Sequence, residues 1–183
     1  SSAPDCDYDY GATWSILSNH ELTQGLPPSW TEGDEGVSVV EPVAGSIVVA
    51  EDPADSSVEV TIPVASVSTG TDDRDNHLKS GDFFDVEQYP TISFASTSVE
   101  PSGSSWKLSG DLTIRNVTRP VTLDFEFLGI STDPWGNAKA AFSASTEVER
   151  EEWGLTWNVP LEGGGVLVSK TIKLEIEAQA AMA

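Results

Sequence analysis

The chain is expected to fold as an all-β barrel or sandwich carrying one short helix. Apolar and polar residues alternate over 57–64, 120–129, 138–149 and 172–177, the period-2 pattern of half-buried strands. Turn-forming clusters such as Pro101-Ser102-Gly103 and Asp133-Pro134-Trp135-Gly136-Asn137 separate these runs. Helix start and stop signals gather in a single segment, 72–80. Several strands with one apolar face each, plus one helix, leave a sandwich or a closed barrel as the stable arrangements.

Taken in order, residues 1–13 read as a polar lead-in, and Trp14-Ser15-Ile16 opens a strand. Residues 17–36 hold Pro27-Pro28 and three glycines with no hydrophobic period, so they read as loop. Strands follow at 37–40 and 46–50, then a turn at 51–53. In 57–64, Val58, Val60, Ile62 and Val64 share one face; Pro63 lacks a donor and belongs at an edge or beside a bulge. Thr71 or Asp72 can cap a helix whose first turn holds Asp72, Asp73 and Asp75, and Gly81 offers a stop. Residues 91–100 and 106–114 form a hairpin, and Asn116 tolerates the left-handed backbone of the next tight turn. Strand 120–129 places Val121, Leu123, Phe125 and Phe127 on one face; strand 138–149 does the same with Ala140, Phe142, Ala144, Thr146 and Val148. Residues 151–165 are irregular, and 166–178 finish the sheet. The domain division is an irregular segment 1–36, a β-domain 37–178 and a tail 179–183.

Thirty acidic and nine basic residues leave a net charge of −21. All nine basic residues lie from Arg74 onward. Such a surface is self-repelling and argues against nucleic acid, whose binding needs a basic footprint. It also argues against docking on anionic lipid. The chain has no apolar run of about 18 residues, so no stable membrane insertion by helix is expected. Cys6 is the sole cysteine, which excludes an intramolecular disulfide. A start at Ser1 rather than Met leans towards a processed chain, periplasmic or secreted rather than cytoplasmic.

Two ordered blocks carry a family resemblance. The first runs through Gly70, Arg74, Asp75, His77, Leu78, Lys79, Ser80, Asp82, Phe83, Phe84, Asp85, Val86, Tyr89, Pro90 and Phe94. The second holds Gly110, Leu112, Thr113, Ile114, Val117, Thr118, Pro120 and Val121, and matches continue through 133–137, Arg150 and Gly154-Leu155. Over roughly residues 45–177 the chain resembles the YceI-like polyisoprenoid-binding family. Residues 17–36 depart from it: an alternating strand usual in the family is missing, although the spacing from Trp14 to Gly45 is kept, as a diverged, engineered or frame-shifted segment would leave it. The resemblance implies an extended antiparallel lipocalin-like β-barrel with a short helical insertion, holding a long isoprenoid inside.

The ligand-binding residues expected from that resemblance are Phe94, Trp106, Phe125, Phe127, Ala140, Phe142 and Ala144 along the interior. Arg74, His77, Leu78, Phe83 and Phe84 are expected at the helical insertion. The alternative is that the interior residues pack on one another as an ordinary core. The ligand class implied is an isoprenoid quinone or polyprenol, favoured over a polyprenyl phosphate because the phosphate would enter against the acidic field. No cofactor beyond such a lipid, no metal and no catalytic residues are expected. His20, His77 and Cys6 lack metal-site spacing, and no serine sits in a G-x-S-x-G context. The remaining alternatives are an interaction or stress-related barrel with no small ligand, and a hydrolase built on surplus carboxylates. Isoprenoid lipid is the expected partner, and homodimerisation is left open.

Overall fold

The computed structural model describes residues 13–16, 38–39, 44–48, 50, 55–160, 162 and 166–182. The loop read at 17–36, the turn at 51–53, Cys6 and His20 lie outside the described residues.

Eight antiparallel strands close into a barrel. They are β1 (Thr13–Ile16), β3 (Ala44–Val48), β4 (Ser57–Pro63), β6 (Thr91–Ser102), β7 (Ser105–Ile114), β8 (Val117–Thr132), β9 (Ala138–Glu149) and β10 (Thr171–Met182). The order around the wall is β1-β10-β9-β8-β7-β6-β4-β3, and β1 pairs with both β10 and β3. Two short strands, β2 (Ser38–Val39) and β5 (Val67–Ser68), pair outside the barrel. One helix, α1 (Asp72–Lys79), lies between β5 and β6.

The alternation read from the sequence becomes the inside and outside of this wall. Leu123, Phe142, Ala140, Leu108, Val99, Val58, Ile47 and Ala180 are buried and form one cluster. Their outward neighbours carry the charge: Lys107 pairs with Asp124 across β7 and β8, and Lys173 with Glu175 along β10. Gly110 is demanded by packing. A Cβ there would lie 2.4 Å from the Phe94 ring and 2.5 Å from the Ala95 carbonyl oxygen. The β7–β8 turn needs left-handed backbone at both central residues, and Arg115 (φ 50°) and Asn116 (φ 59°) supply it.

Several expectations shift. The final strand runs from Thr171 to Met182, so 179–181 are barrel wall rather than tail, while 166–170 precede it. The N-terminal segment contributes β1 to the barrel. Pro63 is the last residue of β4, which lies inside the closed order; the chain leaves the sheet there, so the missing donor costs no ladder bond further along. Helix α1 starts after Thr71, but the Thr71 side chain makes no capping bond. Instead Asp75 Oδ1 accepts from the Thr69 amide at 2.7 Å and from Thr69 Oγ1 at 2.7 Å, tying the approach to the first turn. The helix stops just before Gly81, as expected, though Gly81 is not left-handed; Ser80 is the C-cap residue, its Oγ donating to the His77 carbonyl at 2.7 Å.

Asp133 organises the β8–β9 turn in the same way. It accepts from the amides of Trp135 and Asn137, each at 2.9 Å, and from Asn137 Nδ2 at 2.9 Å. The Asn137 side-chain bond lowers the Asp133 carboxyl below its ordinary value, and the Thr69 side-chain bond does so for Asp75. Both bonds favour the charged form.

Replacing Gly110 with Ala is expected to destabilise the fold by about 1–3 kcal/mol in chemical denaturation, since ring and backbone must both move. Gly81→Ala meets open space and is expected to shift stability by no more than about 0.5 kcal/mol. For Asp75 and Asp133 the folded pKa lies below the ordinary 3.8. Their contribution is therefore complete above that value and is lost as pH falls through the folded pKa. NMR titration should find both carboxyls ionised below 3.8, and Asp133→Asn should erase that part of the acid dependence.

Candidate ligand-binding lumen

The barrel's inner face is assembled from strand register. Trp106 faces Phe125 across β7–β8, and Leu108 faces Leu123. Phe127 faces Phe142 across β8–β9, and Phe125 faces Ala144. Phe94 faces Val60 and Leu112 on its two sides. Phe142 is buried between two rings, stacked on Phe125 at 5.6 Å and tilted against Phe127 at 5.5 Å. The structure thus brings Phe94, Trp106, Phe125, Phe127, Ala140, Phe142 and Ala144 to one continuous inner face.

This face is not closed by its own side chains. Phe127, Ile130 and Ile176 share the register of buried Phe142 and Ala140, yet remain 38%, 48% and 42% exposed. Apolar groups on an inward register that still meet solvent leave this part of the inner face uncovered by the protein's own side chains. The buried cluster occupies the half of the barrel nearest the 103–104 and 133–137 turns.

The opposite end is covered by two non-sheet pieces. One is the segment following Arg150. Trp153 is 1% exposed, and its indole Nε1 donates to the Leu112 carbonyl at 3.1 Å. Arg150, 2% exposed, spreads its guanidinium over main-chain acceptors: Nε to Ser169 at 2.7 Å, Nη1 to Leu155 and Nη2 to Val168 at 3.5 Å. Asn158 adds a paired clasp, donating from Nδ2 to the Val168 carbonyl at 2.7 Å and accepting from the Val168 amide at 3.0 Å. A buried cation held by neutral carbonyls spares the loop unsatisfied acceptors.

The second piece is α1 and the turn after it. Phe83 is buried. His77 meets Asp82 at 3.0 Å, Phe83 edge-on at 5.1 Å and Trp157 edge-on at 4.5 Å. Phe83 in turn lies 5.4 Å from Trp157, so these three rings join the two pieces of the cover. Arg115 stands over the Tyr89 ring at 5.7 Å and donates to the Gly154 carbonyl at 3.4 Å. Leu78 and Phe84 are half-buried in this cover, and Arg74 is exposed on the helix, so none of the three joins the inner face of the strands.

Sequence reasoning gave Arg150, Trp153 and Asn158 no role in the site. Their signal was faint: one cation and two tryptophans in a stretch without periodicity. The trough on the outer wall, about 450 Å³, is a different feature. It is lined by outward Asp124, Glu126, Ser143, Ser145, Glu175 and Glu177, together with Ala144 and Ile176, and four carboxylates make it a poor surface for an apolar chain.

The profile of the YceI-like domain matches residues 31–180. The chain belongs to the YceI-like domain family. Among curated relatives, a UPF0312 protein of Photorhabdus laumondii is 42% identical over 103 residues, covering 56% of this chain and 54% of that one. Protein YceI of Escherichia coli O157:H7 is 40% identical over 105 residues, covering 57% of this chain and 55% of its own. The chain thus matches about half the length of these YceI relatives. Among solved structures, a Campylobacter jejuni YceI protein superposes with a TM-score of 0.67 at 26% identity, covering 86% of this chain and 91% of its own. A polyisoprenoid binding domain from Saccharophagus degradans shares the fold at TM-score 0.60 and 13% identity, over 96% of this chain and 97% of that one. The lipocalin-like antiparallel YceI barrel is therefore the architecture of this chain.

Arg150→Met keeps the volume of the YceI cover but strands the carbonyls of Leu155 and Ser169, while the Val168 carbonyl keeps its bond from Asn158. It is expected to cost about 2 kcal/mol or more in denaturation, at roughly 1–3 kcal/mol for each acceptor left unmet. Arg150→Lys should recover only part of this, because an ammonium cannot span the same fork.

Proposed function

We propose that this chain is a non-catalytic carrier or store for one long-chain isoprenoid lipid of quinone or prenol type, held inside the barrel. The carrying observation is the inner face: continuous, apolar, and left partly open at Phe127, Ile130 and Ile176. The family supports the reading, and the related fold from Saccharophagus degradans is described as a polyisoprenoid binding domain. Each buried methylene-sized unit is worth about 0.8 kcal/mol. Two or three buried isoprene units would then reach the roughly 8 kcal/mol of micromolar affinity, before the cost of ordering the chain. A neutral headgroup suits the net charge of −21 better than a phosphate. The inward register carries no carboxylate and no histidine among the described strands, which favours binding over hydrolysis.

A second reading is a barrel with a filled core that acts through its surface. The tightly buried cluster Ile47, Val58, Val99, Leu108, Leu123, Ala140, Phe142 and Ala180 favours it for one half of the lumen.

Solvent extraction of the purified chain followed by mass spectrometry, with uptake of added quinone and prenol, separates the two. A co-purifying isoprenoid, or stoichiometric uptake, is expected. A ligand-free barrel that takes up neither lipid would leave the filled-core reading. Ala144→Phe places a ring beside exposed Ile176. It should weaken uptake about tenfold or more by occupying the space of several buried methylenes, with the fold retained.

A further inference from the structure

The inner face contains one charged residue. Around the described strands the inward register reads Gly45 and Ile47 on β3, Val58, Val60 and Ile62 on β4, then Phe94 and Val99 on β6. On β7 and β9 it continues with apolar, small or hydroxyl side chains, and β10 offers Ile172, Leu174, Ile176, Ala178 and Ala180. On β8 the same face holds Val117, Arg119, Val121, Leu123, Phe125 and Phe127. Arg119 stands directly opposite buried Leu112, whose carbonyl receives the Trp153 indole. Its outward neighbours are Thr118, bonded to Thr113 on the outer wall at 2.8 Å, and Pro120 opposite Asp111.

This placement runs against the charge of the chain. There are thirty carboxylates and nine cations, yet the single charge on the inward register is positive. On the sheet, Lys107 pairs with Asp124, Lys139 with Asp133 and Lys173 with Glu175; in the cover, Lys170 pairs with Glu151, Arg115 stands over Tyr89 and Arg150 holds main-chain carbonyls. Among the described residues the Arg119 side chain joins no hydrogen bond, ion pair or ring contact. It is also exposed, so it meets water at the covered end while its register belongs to the lumen. A guanidinium with five unspent donors at the end of an apolar tube is suited to an oxygen acceptor on the ligand that fills the tube.

We propose that Arg119 is the headgroup anchor of this barrel: it donates to an oxygen acceptor on the polar end of the lumen lipid and sets the direction in which that lipid lies. This rests on the lipid-carrier reading above. The headgroup then sits at the covered end beside Arg119, with the apolar tail running along Val121, Phe125 and Phe127 towards the 133–137 turn. A quinone carbonyl, a prenol hydroxyl and a phosphate oxygen all offer the required acceptor.

The test uses the full chain with Arg119→Gln and Arg119→Lys, and four probes of equal tail length: a prenylated benzoquinone, a polyprenol, a polyprenyl phosphate and a headless polyprenyl hydrocarbon. Binding is read by native mass spectrometry and by quenching of tryptophan fluorescence. Arg119→Gln is expected to weaken the lipids that bear an acceptor by about ten- to a hundredfold, the range of a hydrogen bond to a charged group. The hydrocarbon should change by less than about twofold, which also shows that the variant is folded, and Arg119→Lys should recover much of the loss. A loss confined to the phosphate, and fading with added salt, would keep the anchor but overturn the neutral headgroup. Wild-type protein that binds all four probes while Arg119→Gln binds them equally well, or loses the hydrocarbon equally, overturns the anchor alone. Wild-type protein that binds none overturns the carrier reading and the anchor together.

Discussion

Closure of the sheet depends on four residues. Strand β1 (Thr13–Ile16) hydrogen-bonds to β10 on one side and to β3 on the other. Without it the wall would present two long edges of unpaired amides and carbonyls, which invite pairing with other chains. With it, Ala180–Met182 of β10 and Ser46–Val48 of β3 gain ladder partners, and the wall is joined at that end. The long strands supply the area, since β8 alone runs for 16 residues. The short one joins the two ends of a curled sheet.

The two ends of the barrel are built on different principles. Near the 103–104 and 133–137 turns, side chains from the strands themselves pack into a buried cluster, with Phe127 and Ile130 left exposed beside it. At the other end the strands stop and a cover takes over, held by directed bonds. Arg150 and Asn158 tie the chain around Leu155–Ser169 through main-chain acceptors, and Trp153 hooks onto Leu112. The rings of His77, Phe83 and Trp157 then bring α1 against that loop. Apolar area alone could not define such a cover, because a loop must find partners for its own carbonyls before it can be buried. The polar staples are what let an irregular segment lie over an apolar lumen.

Charge follows the same partition. Acidic residues crowd the outer wall and the N-terminal part of the sequence, and the inner register of the described strands keeps one cation, Arg119. An acidic exterior repels other copies and anionic surfaces, while an apolar interior is indifferent to it. A positive group at the end of the lumen gives the container a polarity that its apolar wall lacks.

Much of this was legible in the chain. The alternation of Val121, Leu123, Phe125 and Phe127, and of Ala140, Phe142 and Ala144, determined which faces would meet, because strand periodicity is a local property of two residues. Asp133 with Asn137 and the left-handed Asn116 announced their turns for equally local reasons. The extent of β10 was misjudged because Ala180 and Ala181 look like a tail until the strands on either side of them are known. What only the tertiary structure decided was long-range. His77 found Asp82 and Trp157, Arg150 found carbonyls up to 19 residues away, and Arg119 fell on the inward side of a wall otherwise without charge. Side-chain alternation is set within a strand, whereas the partners of a charged or aromatic group are set by which distant segments the closed barrel brings together.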